Sequence, residues 1–277
     1  MPEITVTKYN GFCNGVQRAV DTAMKIDPAG TYVFGEIIHN PTVVQKIAER
    51  GIVTVDSPED VPDGARMLVR SHGMAKAWYA YCKAHSINIV DCTCPFVAKI
   101  HSVVERESAA GKHVLILGNR NHPEVKGIVG WCSSSYTVIE KEADIPPETE
   151  KECALVCQTT FSEEKAEKII ANIQIIYQKT VAIYKTLCYT TKGRQTEAEA
   201  LSRNSDGMIV IGGRNSSNTQ KLYEICRKHC QTVFFVEKLD DLDPDETKNL
   251  KKIGVVMGAS TPSLQTQEVF IWKKKKK

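Results

Sequence analysis

The sequence lacks any long hydrophobic run and any strong excess of one charge. No stretch approaches the roughly 18 apolar residues of a membrane-spanning helix, and the N-terminal segment has no basic region followed by an apolar stretch. The formal charge of the 277 residues is +3, and without the five terminal lysines it would be −2. We therefore expect a cytoplasmic protein that requires neither a membrane nor a nucleic-acid partner.

Cysteine, in contrast, is abundant, with ten residues in the chain. Thiols in the cytoplasm are kept reduced, so disulfides are the least expected use of these cysteines. We expect thiols that pack in the core or bind a metal.

Short β-branched runs recur along the chain, and each stops at small or polar residues that open a helical pattern. Seven such segments occupy residues 32–41, 66–73, 87–95, 112–124, 154–160, 207–218 and 253–262. This alternation predicts an α/β fold with parallel sheets, which bind ligands at the carboxyl ends of their strands. Two of the predicted helix starts are an N-cap at Asn40 and a capping box from Thr160 to Glu163.

The loop GGRNSSN, residues 212–218, follows one of these runs and precedes a predicted helix. Ser216, Ser217 and Asn218 could hold an anion there, because unpaired backbone N–H groups and the helix dipole favour negative charge. Simple capping of the helix by the serines is the alternative.

Three histidines occupy the same kind of strand end: His39 in GEIIHNP, His72 in RSHG and His122 in NHPE. Together with the serine loop they could donate several hydrogen bonds to a diphosphate. Zinc is the competing use of three histidines, and their spacing identifies neither ligand.

Glu124 is the one carboxylate that shares a loop with these polar groups, two residues after His122. A partly buried glutamate beside an anionic ligand would have a raised pKa and could deliver protons. Because most glutamates are solvated, the catalytic interpretation depends on the neighbouring histidine as well.

Three cysteines differ from the others in their setting, since Cys13, Cys94 and Cys188 lie in turns that contain Gly, Thr or Pro. Soft thiolates select zinc, copper or iron–sulfur clusters. Three thiolates without an evident fourth would leave one iron of a [4Fe–4S] cluster open as a Lewis acid. The cysteines interpreted as packing residues are Cys82, Cys132, Cys153, Cys157, Cys226 and Cys230.

Nine motifs in a fixed order carry a resemblance to a known family. They are GFCNGVQRAV, GEIIHNPTVV, SHG, TCPFV, HPEVKG, QTT, CYTTKGRQ, NSSN and GAS. Over residues 4–270 the sequence closely resembles the 4-hydroxy-3-methylbut-2-enyl diphosphate reductases, the last enzymes of the non-mevalonate isoprenoid pathway. Each motif alone is weak, and only the ordered set is specific.

The resemblance implies three small α/β domains with parallel-rich sheets, arranged as a pseudo-threefold trefoil around a central iron–sulfur cluster. The implied domains are residues 13–93, 94–186, and 187–270 together with 1–12. Apart from the resemblance, we expect the lysine-rich tail at 271–277 to be disordered, because blocks of like charge rarely fold. By their motifs, Cys13, Cys94 and Cys188 would bind a [4Fe–4S] cluster that has one open iron.

The implied reaction is reductive dehydroxylation of 4-hydroxy-3-methylbut-2-enyl diphosphate to isopentenyl and dimethylallyl diphosphates, with two electrons and two protons. The substrate hydroxyl would bind the open iron, and ferredoxin or flavodoxin would supply the electrons. Glu124 would be the proton source, with His122 and Thr159 as the other catalytic residues. The implied substrate-binding residues are His39, His72, His122, Thr159, Ser216, Ser217, Asn218 and Ser260.

Two other functions share parts of this pattern. Another iron–sulfur enzyme with an open iron, such as a hydro-lyase or a quinolinate synthase-like enzyme, would also need three cysteines and an anion pocket. A non-catalytic phosphate-binding protein could hold structural zinc on the cysteines. The full set of diphosphate donors together with HPE and QTT favours the reductase.

Overall fold

The structure is a computed structural model that describes residues 2–262 except 149 and 179, together with 265, 267–269 and 272. Two compact units make up the chain. Unit I comprises Met1–Gln17, Ile38–Val44 and Tyr189–Lys277, and unit II comprises Arg18–Ile37 and Gln45–Cys188. Apart from Trp272, the tail predicted to be disordered lies outside the described residues.

The strands are short and are distributed along the whole described chain. They are β1 (Glu3–Val6), β2 (Thr31–Phe34), β3 (Val53–Val55), β4 (Arg66–Val69), β5 (Asn88–Asp91), β6 (His113–Leu117), β7 (Tyr136–Ile139), β8 (Cys153–Cys157), β9 (Val181–Ile183), β10 (Gly207–Ile211), β11 (Thr232–Val236) and β12 (Lys252–Met257).

Helices separate most of these strands. They are α1 (Asn14–Lys25), α2 (Pro41–Glu49), α3 (Lys76–Ala84), α4 (Pro95–Ala109), α5 (Pro123–Val129), α6 (Glu163–Ile176), α7 (Tyr189–Ser202) and α8 (Ser217–His229). Among the described residues, none of the helices has the length and apolar character needed to cross a membrane.

Three four-stranded sheets result, and every pair of neighbouring strands is parallel. Unit II holds the orders β3-β2-β4-β5 and β7-β6-β8-β9, and unit I holds the order β1-β12-β10-β11. The predicted α/β class with parallel sheets is confirmed. The predicted domain boundaries remain a prediction.

The strands at the centre of each sheet correspond to the runs recognised in the sequence, whereas most edge strands do not. All six central strands were predicted: β2, β4, β6, β8, β10 and β12. Of the six edge strands only β5 was predicted. Central strands of parallel sheets are buried on both faces and read as continuous apolar runs, but edge strands such as β3 and β9 are partly exposed and only three residues long.

The sheet of β6 and β8 shows how both faces become buried. Leu115, Leu117 and Leu155 point to one side and pack in one cluster with residues of α6. Their neighbours in the same strands, Ile116 and Val156, pack on the other side in a cluster with residues of α4 and α5. Successive side chains of a strand alternate between faces, so one apolar run supplies two core layers.

Helix starts agree with the sequence at Asn40 and differ at Thr160. The Oδ1 atom of Asn40 accepts a hydrogen bond from Val43 N at 3.2 Å, and α2 begins at Pro41. The predicted capping box from Thr160 is wrong, because the N-cap of α6 is Ser162, whose side chain accepts from Lys165 N. The Thr160 hydroxyl instead accepts a hydrogen bond from Gln158.

Shortening a buried side chain in a central strand should cost far more stability than shortening an exposed side chain in an edge strand. We expect Ile116→Ala to lower the free energy of unfolding by about 2–5 kcal/mol, because it opens a cavity in a closed core. Val53→Ala in β3, where the residue is 51% exposed, should change it by less than about 1 kcal/mol. Urea unfolding followed by circular dichroism measures both, and equal losses would contradict the assignment of centre and edge.

Candidate active site

Most of the predicted site residues lie just beyond the carboxyl ends of central strands. In unit II, His72 follows β4, His122 follows β6 and Thr159 follows β8. In unit I, the serine loop follows β10 and Ser260 follows β12. Because the strands of each sheet are parallel, the loops within one sheet emerge at the same edge.

The centre of the candidate site in unit II is the carboxyl group of Glu124, in the first turn of α5. The residue is 1% exposed, and both carboxyl oxygens contact Thr159. Thr159 N donates to Oε1 at 2.6 Å, and Thr159 Oγ1 donates to Oε2 at 2.7 Å. The geometry thus joins the loops after β6 and β8 through one buried carboxyl group.

Burial raises the pKa of Glu124 to about 7, and the hydrogen bonds from Thr159 act in the opposite direction. Burial dominates because an ionised carboxylate loses its hydration. At neutral pH the group therefore exists in both protonation states, as a proton donor requires. When it takes up a proton, the Thr159 hydroxyl can accept instead of donating.

His122 is the N-cap of α5, and its role as a cap fixes how the ring can act. Its Nδ1 atom accepts a hydrogen bond from Glu124 N at 3.1 Å, so in the neutral ring Nε2 carries the proton. The ring of His72 lies edge-on to it, with 5.3 Å between the centroids. Unit II therefore brings two of the predicted histidines together and leaves Nε2 of His122 as a donor.

Gln158 frames these loops, although sequence reasoning did not select it. The side chain is almost completely buried, and its Oε1 accepts from Asn119 N at 3.0 Å while Nε2 donates to Thr160 Oγ1 at 2.9 Å. It thereby ties the loop of His122 to the loop of Thr159. Only its place in the motif QTT could have indicated this role.

In unit I, three segments meet at His39. Its carbonyl oxygen accepts a hydrogen bond from Ser260 Oγ at 3.2 Å, and Ser260 O accepts from Asn40 Nδ2 at 3.1 Å. A Cβ atom on Gly213 would lie 2.5 Å from His39 O, so only glycine allows the loop after β10 to approach. Unit I thus joins His39 and Ser260 to the turn that leads into the serine loop.

The serine loop caps α8 and also buries unused polar atoms. Ser216 is the N-cap, and its Oγ accepts from Thr219 N. Ser217 is partly exposed. Asn218 is 3% exposed, yet neither its Oδ1 nor its Nδ2 has a hydrogen-bond partner among the described residues. An unpaired buried amide is costly, so Asn218 is better explained by a ligand than by capping alone.

The three selected cysteines share one local geometry. Cys13 follows the edge strand β1 and precedes α1, Cys94 lies between β5 and α4, and Cys188 lies between β9 and α7. Each backbone N–H donates to the loop after the neighbouring central strand: Cys13 to Ala259 O at 3.1 Å, Cys94 to Ser71 O at 2.9 Å, and Cys188 to Thr159 O at 3.2 Å.

Placement at helix starts suits these three thiols for metal binding. The thiolate is the form that binds a metal, and the positive end of a helix dipole favours its negative charge. All three are partly exposed, and every one of the ten cysteines is a thiol rather than part of a disulfide.

Several other cysteines are unsuited to that role. Burial raises the pKa of the Cys157 and Cys226 thiols to about 12. It also raises the pKa of Cys92, although the Arg18 charge and a hydrogen bond from Thr22 oppose the shift. Thiolates are therefore disfavoured at these positions. Of the two cysteines in DCTCP, Cys92 is a core thiol and Cys94 is the candidate ligand.

Comparison with known proteins matches the chain to one family over nearly its whole length. Residues 4–272 match the family described as LytB protein. A 4-hydroxy-3-methylbut-2-enyl diphosphate reductase of Caldanaerobacter subterraneus subsp. tengcongensis is 39% identical over 276 residues, which cover 97% of this chain and 95% of that protein. The enzyme of the same name from Clostridioides difficile is 39% identical over 272 residues, covering 96% of this chain and 97% of that protein.

Solved structures lead to the same family. The reductase structure from Plasmodium falciparum matches with a TM-score of 0.88 and 26% identity, covering 98% of this chain and 87% of that one. A structure described as (E)-4-hydroxy-3-methyl-but-2-enyl diphosphate reductase, the terminal enzyme of the non-mevalonate pathway, matches with a TM-score of 0.71 and 31% identity over 99% of this chain and 100% of that one. The chain therefore belongs to the LytB family, in which these named relatives are 4-hydroxy-3-methylbut-2-enyl diphosphate reductases.

Proposed function

We propose that this oxidoreductase converts 4-hydroxy-3-methylbut-2-enyl diphosphate to isopentenyl and dimethylallyl diphosphates. The reaction adds two electrons and two protons, breaks the allylic C–O bond and releases water. The observation that carries the proposal is the buried Glu124 carboxyl, with a pKa of about 7 and two hydrogen bonds from Thr159. A carboxyl group in that state can protonate a leaving hydroxide at neutral pH.

The proposed cofactor is a [4Fe–4S] cluster held by Cys13, Cys94 and Cys188. Support comes from the shared geometry of these three residues, each partly exposed at the start of a helix. When bound, the cluster would supply the electrons and one iron without a protein ligand, open to the substrate hydroxyl. The proposed electron donor is a ferredoxin or flavodoxin, since the sequence has no recognised flavin or nicotinamide motif of its own.

The proposed diphosphate donors are His39, His72, His122, Ser216, Ser217, Asn218 and Ser260. The buried amide of Asn218 supports this assignment most directly, because an anion would accept the hydrogen bond that Nδ2 lacks among the described residues. The Nε2–H of His122 is a second donor, since Nδ1 is occupied by the helix cap. Charge-assisted hydrogen bonds of this kind hold a diphosphate strongly and fix its orientation.

The proposed proton path begins at Glu124 and includes Thr159. The carboxyl group gives up a proton and is left as a carboxylate, which the backbone N–H and the hydroxyl of Thr159 stabilise. The cost of that buried charge favours return of a proton from solvent before the next transfer. The backbone N–H of Thr159 can only donate, and it donates to Oε1, whereas the Thr159 hydroxyl at Oε2 can also accept. Thr159 therefore favours Oε2 as the oxygen of Glu124 that carries the proton.

The whole proposal is tested by supplying the substrate to protein that has been purified and reduced with dithionite and methyl viologen under anaerobic conditions. Formation of isopentenyl and dimethylallyl diphosphates, detected by mass spectrometry, would support it. Iron-loaded protein that leaves the substrate unchanged, or colourless protein that contains only zinc, would refute it in favour of the hydro-lyase or phosphate-binding function.

Glu124→Gln should remove the proton source without removing the binding site. We expect turnover to fall by about 10²–10⁴-fold, with little change in KM. In the unmodified protein, turnover should decline as the pH rises through about 7, because the raised pKa leaves Glu124 protonated only below that value. The exposed Glu164→Gln is the matched control, and an unchanged pH profile in Glu124→Gln would exclude the carboxyl group from the proton path.

Replacement of the two neighbouring cysteines should separate ligand from core thiol. Cys94→Ser should abolish the four-iron cluster after anaerobic reconstitution, whereas Cys92→Ser, at a position 2% exposed, should retain it. Iron and acid-labile sulfide per chain, together with the visible spectrum, provide the measurement. A complete cluster in Cys94→Ser would contradict the ligand assignment.

Asn218→Leu should show opposite effects on binding and stability. Removal of the amide should weaken binding of inorganic diphosphate by about 1–3 kcal/mol, and the free protein should become more stable because a buried unpaired group is replaced by an apolar one. Calorimetric titration and thermal unfolding measure the two effects. Asn204→Leu, at an exposed site, is the control, and unchanged affinity in Asn218→Leu would place the anion elsewhere.

A further inference from the structure

The strand β8 continues beyond its edge partner β9. Pairing of the two strands ends at Leu155 opposite Ile183, and Tyr184 N donates the last backbone hydrogen bond of this ladder to Leu155 O at 2.8 Å. β8 runs on to Cys157. On the side of β9, the N–H and C=O groups of Cys157 therefore lie beyond the last paired residues.

A single side chain takes the place of the missing strand. Thr186 Oγ1 accepts from Cys157 N at 2.7 Å and donates to Cys157 O at 2.7 Å. Both hydrogen bonds are buried, and Thr186 itself is 8% exposed. Because a hydroxyl both donates and accepts, it can satisfy the two backbone groups that an edge strand would otherwise pair.

The segment held in this way leads directly to Cys188. Two residues after Thr186, Cys188 N donates to Thr159 O at 3.2 Å, and Thr159 holds both oxygens of Glu124. Thr186 is thus bonded to Cys157, and Cys188 is bonded to Thr159. The two bonded residues are two positions apart in each segment. The two attachments fix the register of the cysteine segment against the loop that holds the carboxyl group.

A comparable clamp in unit I precedes Cys13. The buried guanidinium of Arg194 donates to Tyr9 O, to Gly11 O and to Met257 O. Met257 is the last residue of β12, as Cys157 is the last residue of β8. In both sheets a side chain fixes the segment before a candidate ligand by contact with the end of the neighbouring central strand.

We propose that Thr186 is a positioning residue, whose hydroxyl fixes the segment carrying Cys188 against the loop in which Thr159 binds Glu124. The expected effect of Thr186 on metal binding rests on the proposed role of Cys188 as a cluster ligand. Thr186 itself touches none of the reacting groups. Its effect passes through Cys157 to the position of the Cys188 thiol and to the orientation of Thr159.

The test compares three variants. Thr186→Val keeps the size of the side chain but leaves Cys157 N and O unpaired, whereas Thr186→Ser retains the hydroxyl. Thr31→Val is the matched control, since Thr31 is also buried and its hydroxyl donates to Asp27 O at 2.6 Å, but it lies at the start of β2 rather than at a strand end that faces the loops.

In the metal-free protein, we expect the amide hydrogen of Cys188 to exchange at least about tenfold faster in Thr186→Val, since tenfold corresponds to loss of one buried hydrogen bond and this variant loses two. The amide of Cys94, bonded to Ser71 O, should keep its rate. In the reconstituted protein, Thr186→Val should release iron to a chelator about tenfold faster by the same reasoning, and its pH profile of turnover should shift. Thr186→Ser should restore every value, and Thr31→Val should leave all of them unchanged.

Equal Cys188 exchange rates in Thr186→Val and Thr31→Val would overturn the inference, whatever metal the protein binds. Faster exchange in Thr186→Val with no cluster in any form of the protein would instead support the positioning role and refute Cys188 as an iron ligand. Faster exchange with an unchanged rate of iron release would overturn the link between the Thr186 hydroxyl and the metal site.

Discussion

The site depends on one constraint, which is that the strands of each sheet are all parallel. Parallel strands end at the same edge, so segments that are distant in sequence are delivered to adjacent loops. Glu124 and Thr159 are 35 residues apart in the chain, and they meet because β6 and β8 are neighbours. An antiparallel arrangement of the same strands would place these two loops at opposite edges.

Thr159 shows how one residue can serve several requirements. Its N–H and hydroxyl contact Glu124, and its carbonyl oxygen accepts from Cys188. The candidate proton donor and a candidate cluster ligand are therefore attached to the same peptide segment. A displacement of that segment would change the pKa of the carboxyl group and the position of the thiol together.

Polar groups in the site oppose folding, and the buried carboxyl group illustrates the cost. An acid whose pKa is raised in the folded state stabilises the unfolded state as the pH rises, since only the unfolded chain ionises freely. For Glu124 this cost develops between its ordinary pKa and about 7, and it is complete above that value. It amounts to roughly 3 kcal/mol. The apolar layers around β6 and β8 offset such terms.

Asn218 is a second example, because its amide is buried without a hydrogen-bond partner among the described residues. A residue chosen for stability alone at that position would be apolar. Both groups are therefore better explained by what they bind or transfer than by the fold. Stability and function make opposite demands on them.

The same arrangement of strand, cysteine and helix occurs three times, although no repeat is visible by residue identity. In each case the cysteine follows an edge strand, donates its N–H to the loop after the neighbouring central strand, and precedes a helix. The side chains that hold these segments differ, with Thr186 in one sheet and Arg194 in another. The backbone geometry is repeated, but the residues that produce it differ. A comparison of residue identities along the chain therefore does not detect the repeat.

The sequence by itself determined the α/β class, the six central strands and the residue types of the site, because continuous apolar runs and polar strand ends are local patterns. The distinction between Cys94 and Cys92 came from the sequence too, but it depended on the resemblance of the motif to a known family. The tertiary structure decided the edge strands other than β5, the burial that raises the pKa of Glu124, and the bracing roles of Gln158 and Thr186. Each of these depends on burial or on a partner distant in the chain, and neither can be read from neighbouring residues.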